Sequence, residues 1–130
     1  MADNLHDRTG AAVTVSIDES RPVSAFIVTV ADGSPAGRAD FVDSPTVDQE
    51  RIFFHTEVDR EFSGRGLAGI LIREALADSI RTGRTVVPVC PLFAGHLDKH
   101  GDDFVADGGR FRLPTKADLA VVRRATRAGS

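Results

Sequence analysis

Tyrosine is missing altogether from this 130-residue sequence, cysteine occurs once, and no apolar run approaches the roughly 20 residues that a membrane-spanning helix needs. The lone Cys90 rules out an intrachain disulfide framework, so stability must come from packing and hydrogen bonds. An excess of positive charge is also lacking. The 16 Lys and Arg are outnumbered by 19 Asp and Glu, giving a net charge of −3, and the charges are scattered along the chain. They form no broad cationic face for a polyphosphate backbone, and no nucleic-acid partner is expected. Residues 1–10 are polar rather than signal-like, so the sequence reads as cytoplasmic, with no membrane partner. Neither internal repeats nor low-complexity linkers are visible.

What is present suits one globular domain over residues 1–130, since 42% of residues are hydrophobic and 27% charged. The core is expected over about residues 12–105. Residues 12–17 and 23–30 are short and β-branched and read as strands, the second closed by Ala31-Asp32-Gly33. Phe41 and Val42, followed by Ser44 and Pro45, suggest a third short strand. Residues 51–58 read as a central fourth strand, with Ile52, Phe54, Thr56 and Val58 on one face and Phe53, His55 and Glu57 on the other.

Leu67, Ile70, Leu71, Ala75, Leu76 and Ile80 then recur at helical spacing, predicting a helix that ends near Thr82-Gly83. A buried strand over residues 85–89 and a shorter helix from Pro91 to about His100 follow, giving the order β-β-β-β-α-β-α. The Gly/Asp-rich residues 101–109 read as a loop. A tail helix is expected over 115–128, with Thr115 as N-cap and Leu119, Val122 and Ala125 inward.

Ser63-Gly64-Arg65-Gly66 lies between the central strand and the long helix. Such a turn presents unpaired N–H groups at the positive end of the helix dipole and suits phosphate. Gly64 and Gly66 let the backbone approach an anion, and Arg65 adds charge. Glycines here serve tight packing as often as ligand binding. The sequence has no P-loop pattern and no Gly-x-Gly-x-x-Gly after the first strand.

Three motifs in this order, His55-Thr56-Glu57-Val58, Ser63-Gly64-Arg65-Gly66-Leu67-Ala68 and Val87-Pro88-Val89-Cys90-Pro91-Leu92-Phe93, resemble the smallest GCN5-related N-acetyltransferases (GNATs) over about residues 22–104. The resemblance implies an α/β (α+β) fold with a mixed, mostly antiparallel sheet, splayed central strands and flanking helices. The splay would lie between residues 51–58 and 85–89 and hold the pantetheine arm of acetyl-coenzyme A. It also implies that Val58, Ser63, Gly64, Arg65, Gly66, Leu67 and Ala68 bind the coenzyme, with the diphosphate on the glycine turn. Ser63 stands where the family usually has Arg or Gln, which removes one side-chain contact but leaves the main-chain donors. Acetyl-CoA is then the acetyl-donating cosubstrate, and the acceptor is a small-molecule or peptide amine. The oligomeric state stays unassigned.

Many members of the wider superfamily return a proton to the leaving thiolate from a tyrosine, which this chain lacks. Cys90 is the leading substitute, as general acid or as a transient acetyl carrier, because a thiol matches a leaving thiolate in acidity and the start of a helix stabilises a thiolate. A lone cysteine is equally often a packing residue. His55 and Glu57 are candidate bases. His55 is preferred because an imidazole titrates nearer neutrality than a carboxylate, at about 6.5 against about 4.3.

His96 and His100, four apart after Cys90, lack a fourth ligand and the usual paired-cysteine spacing, so no metal is expected. Lys99 and His100 are alternative contacts for the coenzyme's outer phosphates. Asp48, Glu50, Asp59 and Glu61 rim the central strand and would attract a cationic acceptor. The function expected is acetyl-CoA-dependent N-acetyl transfer to an amine. The alternative is a CoA-binding or protein-interaction module on the same fold, with little or no turnover.

Overall fold

The computed structural model describes residues 5–20 and 22–128. Residues 1–4, part of the polar opening segment, lie outside them. Among the described residues, seven strands form one sheet in sequence order: β1 (Leu5–His6), β2 (Ala12–Asp18), β3 (Ser24–Val30), β4 (Pro35–Asp43), β5 (Glu50–Val58), β6 (Thr85–Pro88) and β7 (Arg110–Phe111). Pairs from β1 through β5 are antiparallel, while β5–β6 and β6–β7 are parallel. Parallel neighbours need a crossover, which α1 (Leu67–Thr82) and α2 (Pro91–Ala106) provide. A third helix, α3 (Lys116–Ala128), follows β7.

The sheet has two apolar faces. On one, Phe26, Phe41, Phe53 and Val86 pack with Leu67, Leu71 and Ala75 of α1 and with Phe93, Leu97 and Phe104 of α2. On the other, Val42, Ile52 and Val87 meet Val121, Val122 and Ala125 of α3. Arg112 fastens α3 to β5. Its guanidinium donates to Glu50 at 2.6 and 2.8 Å and to both Asp118 carboxylate oxygens at 2.8 Å. Asp118 in turn accepts the Thr115 amide at 2.7 Å, a cap reaching back from the first helical turn.

Several sequence expectations are corrected. The strand expected around Phe41 and Val42, β4, is nine residues long rather than a short apolar stretch, because Gly37, Arg38 and Asp40 are held by backbone pairing to β5 and not by hydrophobicity. The second helix continues to Ala106, so most of the expected 101–109 loop is helical. Its inward positions Phe93, Leu97, Gly101 and Phe104 keep a helical spacing that the Gly/Asp composition disguises. A Cβ at Gly101 would lie 2.9 Å from the Phe111 ring, so glycine there is a packing choice. In α3, Leu119 is 41% exposed, and Val121 joins Val122 and Ala125 on the inner face.

The correction that shapes the site is in β5. Asp40 pairs with His55 but Phe41 pairs with Phe53, leaving Phe54 as the extra residue of a β-bulge. Simple alternation therefore fails. Phe53 and Val58 belong to the α1/α2 core, whereas Ile52 and Phe54 face α3. The bulge moves Thr56 and Val58 to Phe53's side and leaves His55 and Glu57 on the opposite one.

Candidate functional site

Parallel pairing between β5 and β6 runs from Glu50↔Thr85 to Phe53↔Pro88 and then stops. The Phe53 carbonyl accepts the amides of Val89 at 2.9 Å and Cys90 at 2.8 Å, after which the chain turns into α2. Pro91 at the start of α2 has no amide to continue a strand ladder. The last five residues of β5, 54–58, therefore run on to Val58 with no β6 partner, so the two strands part beyond Phe53 and the opening between them is the cleft. Phe93 stacks on Phe53 at the apex, with centroids 4.4 Å apart and an 11° interplanar angle.

Cys90 is the N-cap residue of α2 at this apex. It is 3% exposed, and its Sγ lies 3.4 Å from the Thr56 hydroxyl. His55 and Glu57 flank Thr56 and point to the other face, with Nε2 and Oε2 3.9 Å apart and side chains 55% and 60% exposed. The structure thus groups His55 with Glu57 and Cys90 with Thr56, and it does not bring the histidine, carboxylate and thiol together on one face. Glu57 also lines a cavity of about 310 Å³ with Ile27, Arg38 and Asp59. Asp40, opposite His55 in register, is held by Arg38 at 2.6 Å.

Beyond β5 the chain leads through the glycine turn to the head of α1. Its N-cap Gly66 has φ 78°, a left-handed conformation that favours glycine, and no side chain caps the helix. The first intrahelical acceptance here is Ile70 N–H to Gly66 C=O at 3.2 Å, so the amides of Leu67, Ala68 and Gly69 have no helical acceptor. Beside them is a pocket of about 200 Å³, whose lining includes Arg65 and Gly66 from the predicted turn and Asp7, Arg8, Gly69 and Arg73 from elsewhere. Ser63 and Gly64 are exposed and do not line it. Half-buried Val58 packs against the core at the end of β5.

Arg8, Asp7 and Arg73 are the site residues that the sequence reading missed. Asp7-x-Thr9-Gly10 carries a readable turn signal, because the Asp7 Oδ1 accepts the Thr9 amide at 2.8 Å and the Ala11 amide at 3.1 Å. Those bonds, led by the Thr9 hydroxyl, hold the Asp7 carboxyl below its ordinary pKa. The docking of this hairpin on α1, through the Arg8 amide to the Arg65 carbonyl at 2.9 Å, has no local sequence signal.

Further along the α1–α2 groove, His96 and His100 have ring centroids 4.9 Å apart and line a cavity of about 190 Å³ with Arg73 and Phe104. Burial, then the neighbouring His100 and Arg73, lower the His96 pKa. Among the described residues, no group of three or more His, Cys, Asp or Glu could hold a metal ion.

A family model described as GCN5-related N-acetyl-transferase matches residues 25–107, which contain all but the first residue of β3, then β4 to β6, α1, α2 and the cleft between β5 and β6. The chain belongs to this family. Among solved structures, the GNAT is similar to a ribosomal-protein-alanine N-acetyltransferase from Brucella melitensis biovar Abortus 2308, with 18% identity over 71% of this chain and 90% of that one, at a TM-score of 0.50. That likeness is one of fold. It also matches a GNAT family N-acetyltransferase, YhbS, from Escherichia coli in complex with CoA, with 26% identity over 47% of this chain and a TM-score of 0.42. The match spans 36% of the YhbS chain. No curated protein matches the sequence significantly.

Proposed function

We propose that this GNAT is an acetyl-CoA-dependent N-acetyltransferase acting on an amine. One observation carries the reading: a cleft opens beside residues 54–58 of β5, with Cys90 at its apex, and the glycine turn after β5 leads to an uncapped, arginine-lined helix start. An anionic diphosphate fits the helix start, where main-chain N–H groups and guanidinium groups converge. The pantetheine arm fits the cleft, where amides can pair with the unpartnered edge of β5. The coenzyme delivers its thioester at the apex.

The amine approaches from the opposite face, over His55 and Glu57, with Asp59 adding negative charge beside the cavity there. His55, or Glu57 through water, removes a proton from the ammonium form. The free amine attacks the thioester carbonyl, the nitrogen of the tetrahedral intermediate gives its extra proton to water, and collapse forms the amide and expels the coenzyme thiolate. The Cys90 thiol, polarised by Thr56, protonates that thiolate and regains a proton from solvent. Base and acid on opposite faces of β5 suit a reaction whose two substrates enter from opposite sides.

The test is an acceptor screen with polyamines, lysine peptides and free N-termini, monitored by release of the coenzyme thiol. Turnover with at least one acceptor is expected. Tight CoA binding with no turnover on any acceptor would replace this reading with that of a coenzyme-binding module.

A further inference from the structure

Arg65, the cation contributed by the glycine turn, is already engaged. Its guanidinium lies 3.7 Å from the Asp7 Oδ2 and 5.1 Å from the centre of the Phe62 ring. The Asp7 side chain is fully buried, and that oxygen has no hydrogen-bond partner, so Arg65 is its nearest compensating charge. Two other guanidinium groups face the same pocket. Arg8 lies over Gly66, where a Cβ would meet its Nε at 3.0 Å and its Cγ at 3.2 Å. Arg73 folds back along α1 over Gly69, where a Cβ would meet its guanidinium nitrogen at 3.1 Å. Neither forms an ion pair with a described residue.

We propose that Arg8 and Arg73 form a two-guanidinium clamp on the coenzyme's diphosphate, with Arg8 delivered by the β1–β2 hairpin outside the family match. This rests on the coenzyme reading above. Asp7 and Arg65 cancel, leaving Arg8 and Arg73 against a diphosphate diester, which carries one negative charge per phosphorus. Each guanidinium sits above a glycine, so the anion meets backbone N–H groups from below and planar donor forks from the sides. Asp7 acts as a positioning residue. Its Oδ1 fixes the hairpin turn, and the Arg8 amide ties that turn to the carbonyl of Arg65.

Calorimetry on the full chain with CoA, and separately with pantetheine, which lacks the diphosphate, tests the clamp. Arg8→Ala and Arg73→Ala should each weaken CoA binding by roughly tenfold or more, the loss expected for a charge-assisted contact. Pantetheine binding should not change. Arg8→Lys should recover part of the affinity, keeping the charge but not the fork. Arg123→Ala, which removes the same charge from the exposed face of α3, should have no effect. Added salt should weaken CoA binding to the wild type more than to the double variant. Unchanged CoA affinity in both alanine variants would overturn the clamp while leaving the coenzyme reading in place. Equal losses for CoA and pantetheine would also overturn it, by showing general damage. A wild-type chain that binds no CoA would instead overturn the coenzyme reading and the clamp with it.

Discussion

The amide of Cys90 donates to the carbonyl of Phe53 at 2.8 Å, and this is the last main-chain link between β5 and the chain leaving β6. Everything beyond it on β5 is free of β6. The stacked rings of Phe53 and Phe93 hold α2 against the sheet beside the opening of the cleft. Both rings are fully buried.

Phe93→Ala should therefore cost about 3–5 kcal/mol of stability, the range for emptying a buried aromatic site. The measurement is the shift in urea midpoint at constant slope. Phe93→Leu should cost much less. Equal stability of wild type and Phe93→Ala would show that α2 is not anchored through this stack.

Where hydrophobic period and turn chemistry agree, the sequence was legible. The Leu67-Ile70-Leu71-Ala75-Leu76 stripe ending at Gly83 gave α1, and the paired glycines marked its exposed N-terminus. Position in space was less legible. Alternation along residues 51–58 misassigned Thr56 and Val58, because a bulge at Phe54 is set by pairing with β4 and leaves no mark in the strand's own composition. His55 and Glu57, expected on the face of Phe53, lie on the opposite one for the same reason. Arg8 was unreadable as a site residue because what brings it to Gly66 is a contact between segments more than fifty positions apart. Arg73 lay within reach of reasoning, since Gly69 and Arg73 are one helical turn apart and a side chain can fold back across a missing Cβ.

Gly64 and Gly66 offer a matched pair of tests. Both have positive φ, 81° and 78°, so alanine at either should cost roughly 1–2 kcal/mol in backbone strain. A Cβ at Gly64 meets nothing within 4 Å, whereas one at Gly66 meets Arg8. Comparable losses in thermal stability are expected for the two variants. CoA affinity measured by calorimetry should fall for Gly66→Ala, and further for Gly66→Val, while Gly64→Ala stays near wild type. Equal CoA affinities across the series would remove the α1 N-terminus as the phosphate cradle.

Acid should release α3. Hydrogen bonding from Arg112 is the main cause holding the Asp118 carboxyl below its ordinary pKa of 3.8. A depressed carboxylate contributes stability in full above its unfolded value and loses it as pH falls through the folded value. The wild type should therefore lose stability below about pH 4 more steeply than Asp118→Asn. At neutral pH, Arg112→Ala, which removes the cation shared by Glu50 and Asp118, should cost roughly 2 kcal/mol, discounted because Arg112 is about one-third exposed. Urea titrations at pH 7 and pH 3.5 give both comparisons.

His96 predicts a second pH dependence at milder acidity. Burial, followed by the proximity of His100 and Arg73, depresses its pKa below 6.5, so the unfolded chain binds this proton first as pH drops. Stability should be greatest above about pH 6.5 and decline from there as the pH falls toward the folded value. Replacing His96 with Gln should flatten that decline. An unchanged slope between pH 7 and pH 5 would show that the α1–α2 groove does not disfavour the imidazolium.

Cys90 decides between chemistry and packing. The absence of tyrosine leaves it as the acid nearest the apex, and the Thr56 hydroxyl at 3.4 Å gives its sulfur a polar neighbour in an otherwise apolar site. If the thiol protonates the departing coenzyme, Cys90→Ala should lower the chemical rate by roughly a hundredfold or more, with CoA affinity nearly unchanged. Thr56→Val keeps the side chain's shape but removes the hydroxyl, and it should give a smaller loss in rate with the same affinity. A packing role makes a different forecast. Cys90→Ala would then lower stability through the small cavity it leaves, and turnover in the folded fraction would stay at the wild-type level. Mass spectrometry after mixing protein with acetyl-CoA and no amine separates the two chemical routes. An acetyl group found only on Cys90, and passed on when an amine is added, would assign covalent transfer, whereas its absence together with the hundredfold loss would assign proton donation. Wild-type turnover by Cys90→Ala would exclude both and leave the thiol as a packing group at the apex of the cleft.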